Sequence, residues 1–177
     1  MLYLQKNALC LNTMKKLLFL SIAILTLTLS AQKSWKTVNP VEQISIRSNH
    51  LPINAQTFIN TLFPSIAIKS AIRNIADNEY DVTMTNGYEI IFDNKGYWLE
   101  IDAPDNVMFP CGIIEQIVET DVFIALSEKK ISTGPIVCHL KSIAYIPEYG
   151  YVFQYSLPNH DEDNIIIDTD GNIWNWH

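Results

Sequence analysis

Two rhythms of apolar and polar residues run along this chain. After Leu51-Pro52, the residues Ala55, Phe58, Ile59, Leu62 and Phe63 recur at helical spacing, and Pro64 ends the run. Residues 66–72 then read as a strand. Tyr80, Val82 and Met84 alternate with Asp81, Thr83 and Thr85, which marks a half-buried strand. Asn86-Gly87 predicts a hairpin with positive φ at both positions. Tyr88, Ile90 and Phe92 alternate with Glu89 and Ile91. Asp93-Asn94-Lys95-Gly96 makes a further turn, and Tyr97, Leu99 and Ile101 complete a fourth strand. The expected unit is one helix followed by four antiparallel strands.

Phe109-Pro110 restarts the same order. Ile113, Ile114, Ile117 and Val118 have helical spacing that runs on through Leu126, and Thr133-Gly134-Pro135 breaks it. Residues 136–146 read as a strand, Glu148-Tyr149-Gly150 as a turn, and Tyr151, Phe153, Tyr155 and Leu157 as one face of the next strand. A strand over 164–168, the turn Asp168-Thr169-Asp170-Gly171 and a strand over 172–176 complete it. Leu51-Pro52 aligns with Phe109-Pro110, Tyr80 with Tyr151, and Asp93-x-x-Gly96 with Asp168-x-x-Gly171, at offsets of 58, 71 and 75. The expected fold class is α+β. Tandem duplicated helix-plus-four-strand units, 51–108 and 109–177, share one antiparallel sheet with the helices packed on one face.

The segment Tyr80 to Ile101, YDVTMTNGYEIIFDNKGYWLEI, with the preceding Leu-Pro and helix, resembles the PepSY-like, beta-lactamase-inhibitor-like domains exported by Bacteroidota. The second unit departs from that pattern. It lacks the Asn-Gly turn and has Ile167-Asp168 where the first unit has Phe92-Asp93. The resemblance implies tandem units forming one sheet, as in inhibitors that grip an enzyme on a sheet face. It carries over no inhibitory residue, and fold analogy alone does not assign function.

The N-terminus changes the charge. Met14-Lys15-Lys16 followed by the apolar run 17–29 reads as an export signal, too short to span a bilayer well. Cleavage is expected after Ala31, with 1–13 an upstream extension if translation starts at Met1 rather than Met14. Residues 32–50 form a lead segment. Losing 1–31 removes Lys6, Lys15 and Lys16 and no acid, which takes the formal charge from −7 to −10. A periplasmic or secreted protein without a stable membrane anchor is expected. Nucleic acid is excluded as a partner, since it needs a basic surface. Cys111 and Cys138 meet an oxidising compartment, but a helix start and a strand start are expected too far apart to bridge.

Little else points to chemistry. His50, His139, His160 and His177 lack metal-ligand spacing. Cys138-His139 on one strand would point to opposite faces. No enzyme activity, cofactor or metal is expected. The informative surface is the sheet face turned away from the helices. Alternation places Tyr88, Ile90, Phe92, Leu99 and Ile101 toward the helices. Opposite them stand Asp81, Thr83, Glu89, Ile91, Trp98 and Glu100, with Ile166 and Ile173 at the corresponding positions of the second unit. An apolar pair in a polar, acidic frame suits a protein- or peptide-binding surface. The alternative is a small-ligand or calcium-binding protein that uses the acidic loop 160–172.

Overall fold

The computed structural model describes residues 43–105, 107–131, 133–158 and 161–174. The expected signal and most of the lead segment lie outside them. Among the described residues there are three α-helices: α1 (Ile53–Leu62), α2 (Cys111–Ile117) and α3 (Thr120–Glu128). Nine strands make one antiparallel sheet in the order β1-β2-β3-β4-β5-β8-β9-β10-β11. They are β1 (Gln43–Ile46), β2 (Ile68–Asn74), β3 (Glu79–Met84), β4 (Glu89–Phe92), β5 (Trp98–Asp102), β8 (Leu140–Ile146), β9 (Gly150–Ser156), β10 (Glu162–Ile167) and β11 (Ile173–Trp174). A small ribbon, β6 (Lys130–Ile131) with β7 (Gly134–Pro135), stands apart.

Strand pairing follows the period-two pattern. One row crosses the sheet through Ala71, Val82, Ile90, Ile101, Ile143, Phe153 and Ile165. Direct cross-strand partners share a face, and every member of this row is 3% exposed or less. Ala55 and Ile59 of α1, Ile114 of α2, and Val122 and Leu126 of α3 complete the same core. Among the described residues the helices therefore cover one face of the sheet and leave the other open. Phe63, Tyr88 and Phe109 close one end of the core with ring centroids 5.4 Å apart.

Three tight turns share one design. Gly87, Gly96 and Gly171 each donate to the carbonyl three residues back, at 3.0 Å, and have φ of 92°, 86° and 80°. This is a type I turn closed by a left-handed glycine, not the two-residue turn predicted at Asn86-Gly87. Only Gly87 has positive φ there. In two of these turns an aspartate fixes the loop. Asp93 Oδ1 accepts from the amides of Lys95 and Tyr97 at 2.9 and 2.8 Å, and Asp168 Oδ1 accepts from those of Asp170 and Asn172 at 3.0 and 2.8 Å.

Two further expectations are corrected. The helix over 109–126 is broken: Val118 and Glu119 are extended (ψ 160° and 153°) between α2 and α3. The apolar spacing runs through the break without a signal. Glu119, in the break, is a hydrogen-bond partner of Tyr151 on β9. The strand expected over 136–146 begins only at Leu140. Ile136–His139 form a 3-10 turn that buries Ile136 and Val137.

Candidate functional site

The open face is built from the residues between the core positions. One row runs Ser45, Ile72, Asp81, Ile91, Glu100, Ala144, Val152, Ile166 and Trp174, crossing all nine strands. The next row is polar throughout: Ser70, Thr83, Glu89, Asp102, Ser142, Gln154 and Asn164. The first half of the sheet thus carries Asp81, Glu89, Glu100 and Asp102 around Ile91. The second half carries an unbroken apolar run from Ala144 to Trp174. Trp174 is 41% exposed. Among the described residues no helix lies on this face.

Ile91, Ile166, Glu89 and Glu100 stand on the open face as alternation predicts. Trp98 and Ile173 do not. A register shift opposes Trp98 to Phe92 and leaves Leu99 without a register partner. Trp98 therefore shares the helix-covered face. Its ring lies 6.3 Å from Phe58 of α1, 6.2 Å from Tyr145 and 6.0 Å from Tyr151. Ile173 pairs, without any register shift, with the fully buried Ile167 and so packs on the core. The residue that alternation along β11 would have found is Trp174, directly opposite Ile166.

The acidic loop is spent on local structure. His160 lies outside the described residues. Glu162 accepts from Gln154 Nε2 at 2.7 Å, and Asp163 accepts from the Tyr155 hydroxyl at 3.0 Å. Burial, then that hydrogen bond to Asp163, pushes the Tyr155 phenol up to about 12. Asp168 is partly desolvated, which opposes ionisation. Hydrogen bonds from Asn172, Trp174 and Asp170 outweigh this and hold its carboxyl below the usual range. A carboxylate ringed by N–H donors is not arranged for a cation, which needs its lone pairs. Among the described residues no group of three or more His, Cys, Asp or Glu could hold a metal. Cys138 and His139 sit in the 3-10 turn rather than on a strand, and His139 Nε2 lies 3.2 Å from the Thr133 hydroxyl. The Cys111 side chain lies outside what the structure describes.

Known proteins give the context. Residues 78–132 match the PepSY_like family, described as "Putative beta-lactamase-inhibitor-like, PepSY-like". The match runs from β3 through α3 to β6 and so crosses the unit boundary drawn at residue 108. A Bacteroides vulgatus protein of the DUF2874 family, described as "putative periplasmic", is 26% identical. Its crystal structure superposes with a TM-score of 0.52 over 76% of this chain and 95% of that one. A second B. vulgatus protein, described as a "putative periplasmic protein of unknown function", is 22% identical, with a TM-score of 0.54 over 75% and 97%. A Bacteroides thetaiotaomicron protein described as "putative calcium-regulated periplasmic" is 22% identical, with a TM-score of 0.53 over 77% and 98%. No curated protein matches. No helix among the described residues is long and apolar enough to cross a membrane. By sequence over 78–132 the chain is similar to the PepSY-like, beta-lactamase-inhibitor-like family, and by fold over three quarters of its length to Bacteroides proteins described as "putative periplasmic".

Proposed function

We propose that this chain is an exported, non-catalytic module that binds a protein or peptide on the open face of its sheet, in the periplasm or outside the cell. The observation that carries the reading is the apolar run Ala144, Val152, Ile166 and Trp174 on a face without helices, beside an acidic block. Apolar anchors framed by polar groups suit a protein partner, with Trp174 as the anchor. The inhibitor-like description of the matching family and the periplasmic descriptions of similar structures support both parts.

The module is a tandem duplication in this reading. Its support is the repeated Asp-x-x-Gly turn and a register shift at Lys69 that recurs at Lys141. The helices correspond differently from the Leu51-Pro52 and Phe109-Pro110 alignment. α1 matches α3: Ala55 and Ile59 take the places of Val122 and Leu126. Gly96 abuts Ala55 at the start of α1 as Gly171 abuts Asp121 at the start of α3. α2 is then an insertion of the second unit.

Capture of partners from a periplasmic extract, read by mass spectrometry, tests the binding face. A partner held by the parent chain should be lost with Ile166→Ser plus Trp174→Ser. It should be kept with Ile124→Ser, on the exposed side of α3. Equal capture by the open-face double variant, with its fold intact, would rule this face out.

A further inference from the structure

The two edges of the sheet are unlike. Among the described residues β11 spans Ile173–Trp174. β1 spans Gln43–Ile46, and the backbone stays extended through Arg47 (φ −76°, ψ 150°). A sheet edge presents unpaired N–H and C=O groups, and proteins commonly blunt it with lysine, proline or a bulge. Residues 43–46 contain neither lysine nor proline. They pair with β2 without a register shift, from Gln43 opposite Asn74 to Ile46 opposite Ala71. Among the described residues nothing pairs with the outer side of β1. Ile44 and Ile46 alternate onto the helix-covered face. Ile46 packs on the core, whereas Ile44 is 49% exposed. An apolar side chain on the core face of an unprotected edge has its natural cover in another strand.

We propose that β1 joins two copies of this chain, strand to strand and antiparallel, about a two-fold axis that is perpendicular to the sheet and passes between the two copies of Ser45. That axis places Ser45 opposite its own counterpart, Ile44 opposite Ile46 of the second copy, and Gln43 opposite Arg47 of the second copy. It keeps both helix layers on the same side, so the isoleucines meet as apolar cross-strand pairs there. The polar Ser45 and the Gln43–Arg47 pair fall on the open side. The contact is isologous and closes at two copies. Joining β1 to β11 would instead be a heterologous contact that does not close at two copies. A four-residue edge falls short of the roughly 1,200 Å² of a standard interface, so the dimer is weak and concentration-dependent. This inference does not depend on the open-face reading.

Sedimentation equilibrium of the exported chain over a wide concentration range reads the dimer directly. Ile44→Lys, which sets two ammonium groups near the dyad, should weaken it by about tenfold or more, and Ile124→Lys should leave it unchanged. Ser45→Cys tests the register. Directly opposed residues lie about 4.5–5.5 Å apart between Cα atoms, within disulfide reach. Mild oxidation should therefore give more covalent dimer with Ser45→Cys than with the parent chain or with Ile44→Cys. Ser45 is exposed, so that variant should fold even if Ile44→Lys does not. A monomer at every concentration overturns the proposal. So does a folded Ile44→Lys chain with undiminished association, or a Ser45→Cys chain that crosslinks no more than its parent.

Discussion

Replacing Trp98 by alanine should destabilise the fold, and replacing Ile91 by alanine should hardly do so. The two lie on adjacent strands, yet on opposite faces. Trp98 is half-buried and within 6.3 Å, centroid to centroid, of Phe58, Tyr145 and Tyr151. It ties α1 to both halves of the sheet, since Tyr145 and Tyr151 belong to β8 and β9. A fully buried Trp→Ala change costs about 3–5 kcal/mol, so a half-buried one should cost about 2–3 kcal/mol. The share from ring pairing alone, at about 0.5–1.5 kcal/mol per pair, is consistent with that figure. For a chain of this size the melting midpoint should fall by roughly 5–10 °C. Ile91 should cost about 1 kcal/mol or less, because its side is open. Urea unfolding followed by far-ultraviolet circular dichroism measures both. A Trp98→Ala chain within about 0.5 kcal/mol of the parent would refute the packing described here, since surface changes fall in that range.

Four shorter predictions follow the same logic. Gly150→Ala should be severely destabilising: φ is 97°, and the new Cβ would lie 2.5 Å from the Ile167 carbonyl oxygen and 2.6 Å from the Asp168 Cα. Thermal melting checks it, with Gly112→Ala, whose new Cβ meets nothing within 4 Å, as the mild comparison. Alkaline stability should fall from about pH 10 to about pH 12, because Tyr155 is raised from 10.0 to about 12 and the unfolded chain ionises first. Tyr155→Phe should flatten that slope in a pH series of urea midpoints, though not remove it, since Tyr88 and Tyr151 are raised too. Asp168 has the opposite sign. Its contribution is full above its unfolded value of 3.8 and fades as pH falls through its lower folded value, so Asp168→Asn should soften acid unfolding. Calcium should leave the melting midpoint unchanged, and a rise that Asp168→Asn abolishes would place a cation on that turn after all.

Much of the architecture was legible in local pattern. The helix at Leu51-Pro52 is bounded by prolines, which act within a residue or two of themselves. The strands announce themselves by alternation, and the Asp-x-x-Gly turns by side chains that bond their own backbone. The open-face positions of Ile91 and Ile166 follow from counting residues along one strand. Such signals are short-range, so one sequence carries them.

Tertiary structure decided what depends on a neighbouring strand or helix. Counting along β5 sends Trp98 to the open face. The register shift against β4 turns it to the core, and no residue within β5 marks that shift. Its correspondence with Trp98 sends Ile173 to the open face, and pairing with Ile167 puts it inside. The break at Val118-Glu119 interrupts an unbroken apolar stripe, and Glu119 there meets Tyr151, more than thirty residues away. Sequence thus marked most of the elements, since periodicity, prolines and turn residues are local signals. Only the assembled sheet decided which side chains share a face, because a face is defined by pairing across strands.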